Sequence, residues 1–282
     1  NSRKFLATLI ACSILLVGCT GESDQGAEDI SAQEELEGTA DIEIIPEILE
    51  IEGSEFCDDT NQIHCMLPFP SGAFLSEDSS QDTGFRLSID GEAIPDSRSS
   101  VSDNMVILDR LDGFSPSTQI FTAFEKVPNI TGLATQFDIE KSLMDDHRSV
   151  LLNMDTGEKV FHWIEVDARA QEGEETLLFL RTIEGLDHDT SYAVGFRGLL
   201  DSAGHQINPL EGFRALRDNI STSSVGIEEQ REHYEEMFSS LDSSGFERAS
   251  LQAAWWFHTA STDSILRDIV IMRDDAENRL GQ

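Results

Sequence analysis

Gly113-Phe114-Ser115-Pro116-Ser117 is the nearest this chain comes to a nucleophile motif. An acyl-transferring serine on a strand-to-helix elbow needs Gly-x-Ser-x-Gly, whose glycines permit the strained turn that projects the hydroxyl toward an oxyanion hole. Pro116 and the missing second glycine spoil that turn, so the segment reads as a loop. The histidines that could act as bases, His64, His147, His162, His188, His205, His233 and His258, are scattered, and most fall in predicted turns or on strand positions facing water. Glu229 and His233 share a helical face at i, i+4, a spacing that could hold a metal ion, but a lone pair of this kind reads as a solvated face. We therefore expect no catalytic residue, no metal and no cofactor within these 282 residues.

The elements that must position anything else begin with a leader. Arg3 and Lys4 precede an apolar stretch from Phe5 to Val17, the basic and apolar regions of a secretory signal. About a dozen helical residues at ~1.5 Å each reach only ~18 Å, short of the ~30 Å a spanning helix must cross. The segment targets; it does not span. It closes on Leu16-Val17-Gly18-Cys19, which resembles the bacterial lipobox. That resemblance implies a signal peptide over 1–18, acylation of the Cys19 thiol and cleavage before it. The two or three acyl chains it implies, at ~0.8 kcal/mol per buried methylene, make anchoring effectively permanent. Thr20, where an aspartate would favour inner-membrane retention, points to the outer membrane. Asn1 is no natural start residue, so we expect a missing initiator methionine, and the other end could equally be cut short.

With Cys12 leaving in the leader and Cys19 taking lipid, Cys57 and Cys65 remain as a pair. In an exported chain an even remainder implies a disulfide, worth ~2.5 kcal/mol for so short a loop. A metal site through Cys57, His64 and Cys65 is the rival. The formal net charge is −35, and removing Arg3 and Lys4 with the leader makes it more negative still. Such a field repels phosphate backbones and anionic lipid surfaces, which excludes nucleic-acid binding and adhesion through a basic patch. From Lys4 to Arg86 there is no basic residue, and the carboxylates among Gly, Ser, Ala and Gln make 19–55 an acidic flexible tether. Cation binding by that segment is the alternative. Ile42, Ile44, Ile48 and Ile51 could form an edge strand interrupted by Pro46.

From Phe85 the pattern has period two. Phe85–Ile89, Met105–Leu108, Ile120–Phe124, Val150–Met154, Val160–Val166, Thr176–Leu180 and Tyr192–Phe196 alternate between turns rich in Gly, Asp, Asn and Pro. Short strands so spaced predict an antiparallel β-sandwich, with an open barrel as the other solution. Val160, Ile164 and Val166 share one face while Phe161 and Trp163 share the other, so that strand should be central. Ile227, Tyr234, Phe238 and Leu241 form a stripe that predicts a surface helix over about 226–245. Ile265, Ile269, Met272, Ala276 and Leu280 predict a terminal helix over about 263–280. Between them Leu251–Thr259 reads as a strand whose consecutive Trp255, Trp256 and Phe257 must put a ring on each face. The outer ring should pack under the terminal helix. Pro68, Phe69 and Pro70 read as a core plug.

The run LLFLRTIEGLDHDTSYAVGFRGLLDSAGHQI resembles the later strands of surface-layer-type bacterial Ig-like domains. Leu186, Thr190 and Tyr192 match the corner of that family, in which a buried tyrosine hydroxyl bonds nearby backbone. Asp201 and Gly204 fit the hairpin turn that follows. The segments CMLPFPSGAFL, TGFRLSI, DGFSPSTQI and WFHTAS are similar to the N-terminal half of exported bacterial lipase-like and esterase-like proteins of the virulence-factor lipase type, where an Ig-like domain precedes an α/β-hydrolase domain. The resemblance implies a mainly β chain, an antiparallel Ig-like β-sandwich over 56–282 with two helical additions near the C-terminus. It further implies a noncatalytic accessory domain, anchored to the cell envelope by lipid, with a hydrolase domain in cis as partner. A stand-alone surface lipoprotein that binds cations, glycans or a protein is the other reading.

Overall fold

The computed structural model describes residues 48–93, 108, 110–171 and 175–281. The signal segment, Leu16-Val17-Gly18-Cys19, Cys12, Ile42, Ile44 and most of the Met105–Leu108 strand lie outside these residues. Among the described residues the chain is mostly β, with three antiparallel sheets and three helices. A hairpin joins β1 (Leu75–Glu77) to β2 (Phe85–Leu87). The second sheet has the order β3-β6-β5, formed by β3 (Ile120–Phe124), β5 (His162–Val166) and β6 (Thr176–Thr182). The third has the order β4-β7-β8, formed by β4 (Ser149–Asn153), β7 (Ser191–Arg197) and β8 (Leu251–His258).

Alternation explains the second sheet. Ile120, Thr122 and Phe124 face the core opposite Leu180, Leu178 and Thr176, while Phe121 and Ala123 face outward opposite Phe179 and Leu177. The third sheet is buried on both faces, and all of β4 and the run Tyr192–Phe196 are inaccessible. Phe124 of the second sheet meets Phe196 of the third edge-to-face, centroids 6.0 Å apart.

The expected central position of the Val160–Val166 strand is not what forms: β5 is an edge strand paired only with β6. Phe161, just before this strand, is 41% exposed, and Trp163 on the same side is half-buried. Three helices form where two were expected. α1 (Glu211–Arg217) buries Phe213, Ala215 and Leu216 in barely two turns, too short for periodicity to announce it. α2 (Val225–Ser243) starts at Ser224, whose hydroxyl accepts the Ile227 N–H, and it buries the predicted stripe together with Met237. α3 (Thr262–Leu280) is capped in the same way by Ser261, yet Ser264 is its only buried residue.

Trp255 and Trp256 are both buried, but α3 covers neither. Trp255 stacks on Phe196. Trp256 lies under α2, its Nε1–H donating to Gln230 Oε1, with the His233 ring 4.4 Å away. Gly72 permits that packing, since a Cβ there would fall 2.2 Å from the indole. The first described residues meet the segment that leads into α2. Leu49 forms a bridge to Thr222, while Asp59 Oδ2 accepts from Ser224 Oγ at 2.6 Å. Among the described residues of the predicted edge strand, Ile48 is exposed and Ile51 half-buried, with the Leu49 bridge between them. No helix among the described residues is long and apolar enough to cross a membrane.

Candidate functional site

Ser115 lies in an exposed turn, its hydroxyl accepting the Ser117 N–H, so the Gly113–Ser117 segment is a loop. Cys57 and Cys65 are at disulfide distance, sulfur to sulfur 2.01 Å, and His64 beside them is exposed. Glu229 is exposed, whereas His233 turns toward Trp256 and sits 3.9 Å from Glu77. Tyr192 is buried with Oη accepting the Asp187 N–H at 2.9 Å, and Leu186 and Thr190 are buried beside it. Thr190 Oγ1 donates to His188 O, closing the corner. At the next turn Asp201 Oδ1 accepts from Ala203 and His205 N–H, and Gly204 takes a positive φ of 85°.

The expectation that most histidines face water fails at His147, His162 and His258, which are buried. His162 Nδ1–H donates to Val160 O and its Nε2 accepts from Ser149 Oγ at 2.8 Å. Burial pushes this imidazole down to about 4. His147 Nε2 accepts the Ala134 N–H while Nδ1 lies 2.9 Å from Ser149 O. Both rings are neutral struts, their nitrogens occupied by neighbours.

A constellation that sequence reasoning missed pairs Ser191 Oγ with His258 Nδ1 at 2.9 Å and His258 Nε2 with Asp189 Oδ1 at 3.1 Å. Ser191 and His258 are cross-strand partners of β7 and β8, a register that sequence spacing does not reveal. The residue types are those of a Ser-His-Asp relay, but the ring is reversed, with Nδ1 rather than Nε2 toward the serine. Nearby backbone donors are already committed. Asp189 N–H goes to Ala260 O, Thr190 N–H to Thr259 Oγ1 and Asp187 N–H to Tyr192 Oη, leaving none of these for an oxyanion.

The outer face of the second sheet offers a different chemistry. A cavity of about 630 Å³ opens there, floored by Met66, Leu67, Phe69, Ala93, Phe121 and Leu177. The disulfide and Phe69 position this floor. Phe69 exchanges backbone bonds with Phe121 at 2.9 and 2.8 Å, so the Pro68-Phe69-Pro70 segment extends the sheet past β3. His64 and Glu92 are its polar members. Through His64 and Leu177 the cavity adjoins a polar cleft of about 390 Å³ that carries Asp167, Arg169 and Glu175. Phe179 continues the aromatic surface under the Arg181 guanidinium, 4.8 Å from its ring. Arg181 is held by Glu165, whose carboxyl lies below the usual range through the Trp163 Nε1–H and Arg181 hydrogen bonds. An apolar floor running into a polar cleft suits an amphiphile, the tail on the phenyl rings and the head in the cleft.

A further cleft of about 650 Å³ is lined by Glu50, Glu52, Glu125, Glu175 and Glu211. No group of three or more His, Cys, Asp or Glu among the described residues has the geometry to hold a metal ion. Comparison of the chain with protein-family models, with curated proteins and with solved structures gives no match.

Proposed function

We propose that this chain is a noncatalytic, lipid-anchored Ig-like sandwich domain of the cell envelope that binds an ester-bearing amphiphile and presents it to a hydrolase. The cavity over Phe69, Phe121 and Leu177 carries the reading. Among the described residues its lining offers apolar contact, one exposed imidazole and one carboxylate, with no serine, threonine or free thiol to attack an ester. The net charge of −35 favours neutral head groups over anionic ones. Support for the sandwich comes from Phe124 against Phe196 and His162 against Ser149, two contacts between the three-stranded sheets. The Cys19 anchor and the hydrolase partner rest on the lipobox and lipase-domain resemblances in the sequence.

Calorimetric titration with monooctanoyl glycerol, a neutral acyl ester, tests the reading. Saturable binding weakened about tenfold by Leu177→Asp is expected, with no release of octanoate. Absence of binding removes the amphiphile site. Turnover by the isolated chain removes the noncatalytic assignment.

A further inference from the structure

α3 leaves the third sheet with Ile265 half-buried at its base and the rest of its apolar stripe exposed. Ile269 is 61% exposed, Met272 62% and Leu280 85%, and the lone buried residue, Ser264, lies away from the stripe at the helix base. Exposed apolar surface of this kind on a strongly charged protein marks a contact site. Ile265, Ile269, Met272 and Ala276 follow a 4-3-4 spacing, the d-a-d-a seam of a coiled coil.

Charge decides what can lie on that seam. In this register Asp268 and Asp275 fall at g, on one flank, and Arg273 falls at e, on the other. Two parallel copies set g of one helix against e of the next heptad of its partner, which pairs Asp268 with Arg273 in both directions. Two antiparallel copies set g against g and bring Asp268 and Asp275 together. The flanks are thus complementary to a second α3 running the same way and repulsive to one running the opposite way. Asp268 bonds Arg110 at 2.9 Å, Arg273 bonds its neighbour Asp274 and Asp275 bonds Arg279, but the Asp268 and Arg273 side chains each keep 60% of their surface exposed, so these weak surface pairs can be exchanged for contacts with a second copy.

We infer that α3 is a self-association helix, pairing in parallel with a second copy of this chain through Ile265, Ile269, Met272 and Ala276 and through reciprocal Asp268–Arg273 contacts. A parallel pair puts both bodies at one end of the helices, as two chains moored to one surface would need.

Sedimentation equilibrium of the full chain at ~0.15 M salt, where charge is screened over ~8 Å, tests this. A monomer–dimer equilibrium is expected. Ile269→Asp should raise the dissociation constant at least about tenfold while leaving the melting temperature at monomeric concentrations close to that of wild type, since Ile269 is mostly exposed. Asp268→Arg should weaken the dimer, and adding Arg273→Asp to it should restore the dimer. A chain that stays monomeric, a dimer indifferent to Ile269→Asp, or a charge reversal that the second substitution does not rescue overturns the inference.

Discussion

His162 Nε2 accepts a hydrogen bond from Ser149 Oγ at 2.8 Å, and the two residues belong to different sheets. The bond requires a neutral ring. Burial depresses the imidazole from 6.5 to about 4, so the folded state refuses a proton that the unfolded chain accepts. The resulting stability is complete above pH 6.5 and is lost as pH falls through about 4. At ~1.4 kcal/mol per unit this is worth about 3 kcal/mol. Urea midpoints measured from pH 7 to pH 4 should fall for the wild type, and His162→Gln should flatten that part of the profile.

Asp58 works in the opposite sense. Its carboxyl is buried among Thr60 N–H, Thr60 Oγ1 and Ser71 Oγ, and desolvation outweighs those bonds to lift it to about 6. A group raised in the folded state contributes stability that is full below 3.8 and lost as pH rises through about 6. Asp58→Asn removes the ionisation cost of about 3 kcal/mol at neutral pH and gives up part of the hydrogen bonding. Relative to wild type, the variant should therefore be more stable at pH 7.5 than at pH 4, which paired urea titrations would read directly. An equal difference at both pH values would rule out a buried, titrating Asp58.

β3, β6, β7 and β8 were legible almost to the residue: β6 alternates in water exposure, while β7 and β8 are short apolar runs buried on both faces and bounded by turns. The stripe on α2 was legible because a helical repeat is local. What escaped was non-local. Which strand lies at an edge is a matter of pairing, so β5 was misplaced and the exposure of Phe161 beside it was not foreseen. The cavity joins Met66 and Phe69 from a loop to Phe121 and Leu177 from two strands, and no spacing in the chain links them. Buried histidines were missed because a polar residue on an inward position looks like a solvated one until its partners are known.

Gly113 sits where two segments cross. A Cβ at this position would lie 2.7 Å from Ala260 N and Thr259 C, both backbone, at the bridge where Phe114 N–H donates to His258 O. Gly113→Ala must push that bridge apart, at a cost of about 1–3 kcal/mol. Gly91 has open space around the same position and no positive φ, so Gly91→Ala should be close to neutral. Chemical denaturation of the two variants side by side separates crowding from a general intolerance of glycine replacement.

Tyr192→Phe isolates the corner hydrogen bond. The ring stays stacked on Phe257 at 5.6 Å, while the Asp187 N–H loses its acceptor. Asp187 is exposed, so water can replace the hydroxyl in part, and the loss should be about 1 kcal/mol rather than the larger cost of a sealed donor. Equilibrium unfolding in urea should show this as a lower midpoint with an unchanged slope.

Ser191, His258 and Asp189 give the sharpest test of the noncatalytic proposal. Their spacing would allow proton transfer from the hydroxyl, since Ser191 Oγ and His258 Nδ1 are 2.9 Å apart. A nucleophile also needs donors aimed at the developing oxyanion, and removing even one such donor costs about 100- to 1,000-fold in serine hydrolases. Here the N–H groups of Asp187, Asp189 and Thr190 are all spent on the Tyr192 hydroxyl, Ala260 O and the Thr259 hydroxyl. The hydroxyl accordingly serves as a strut between β7 and β8, not as a nucleophile. Nitrophenyl butyrate should be hydrolysed no faster with the chain than in buffer, and Ser191→Ala should lower stability by about 1 kcal/mol without altering that rate. Hydrolysis abolished by Ser191→Ala would mean that the β7–β8 register had assembled a working site, and the noncatalytic assignment would fall with it.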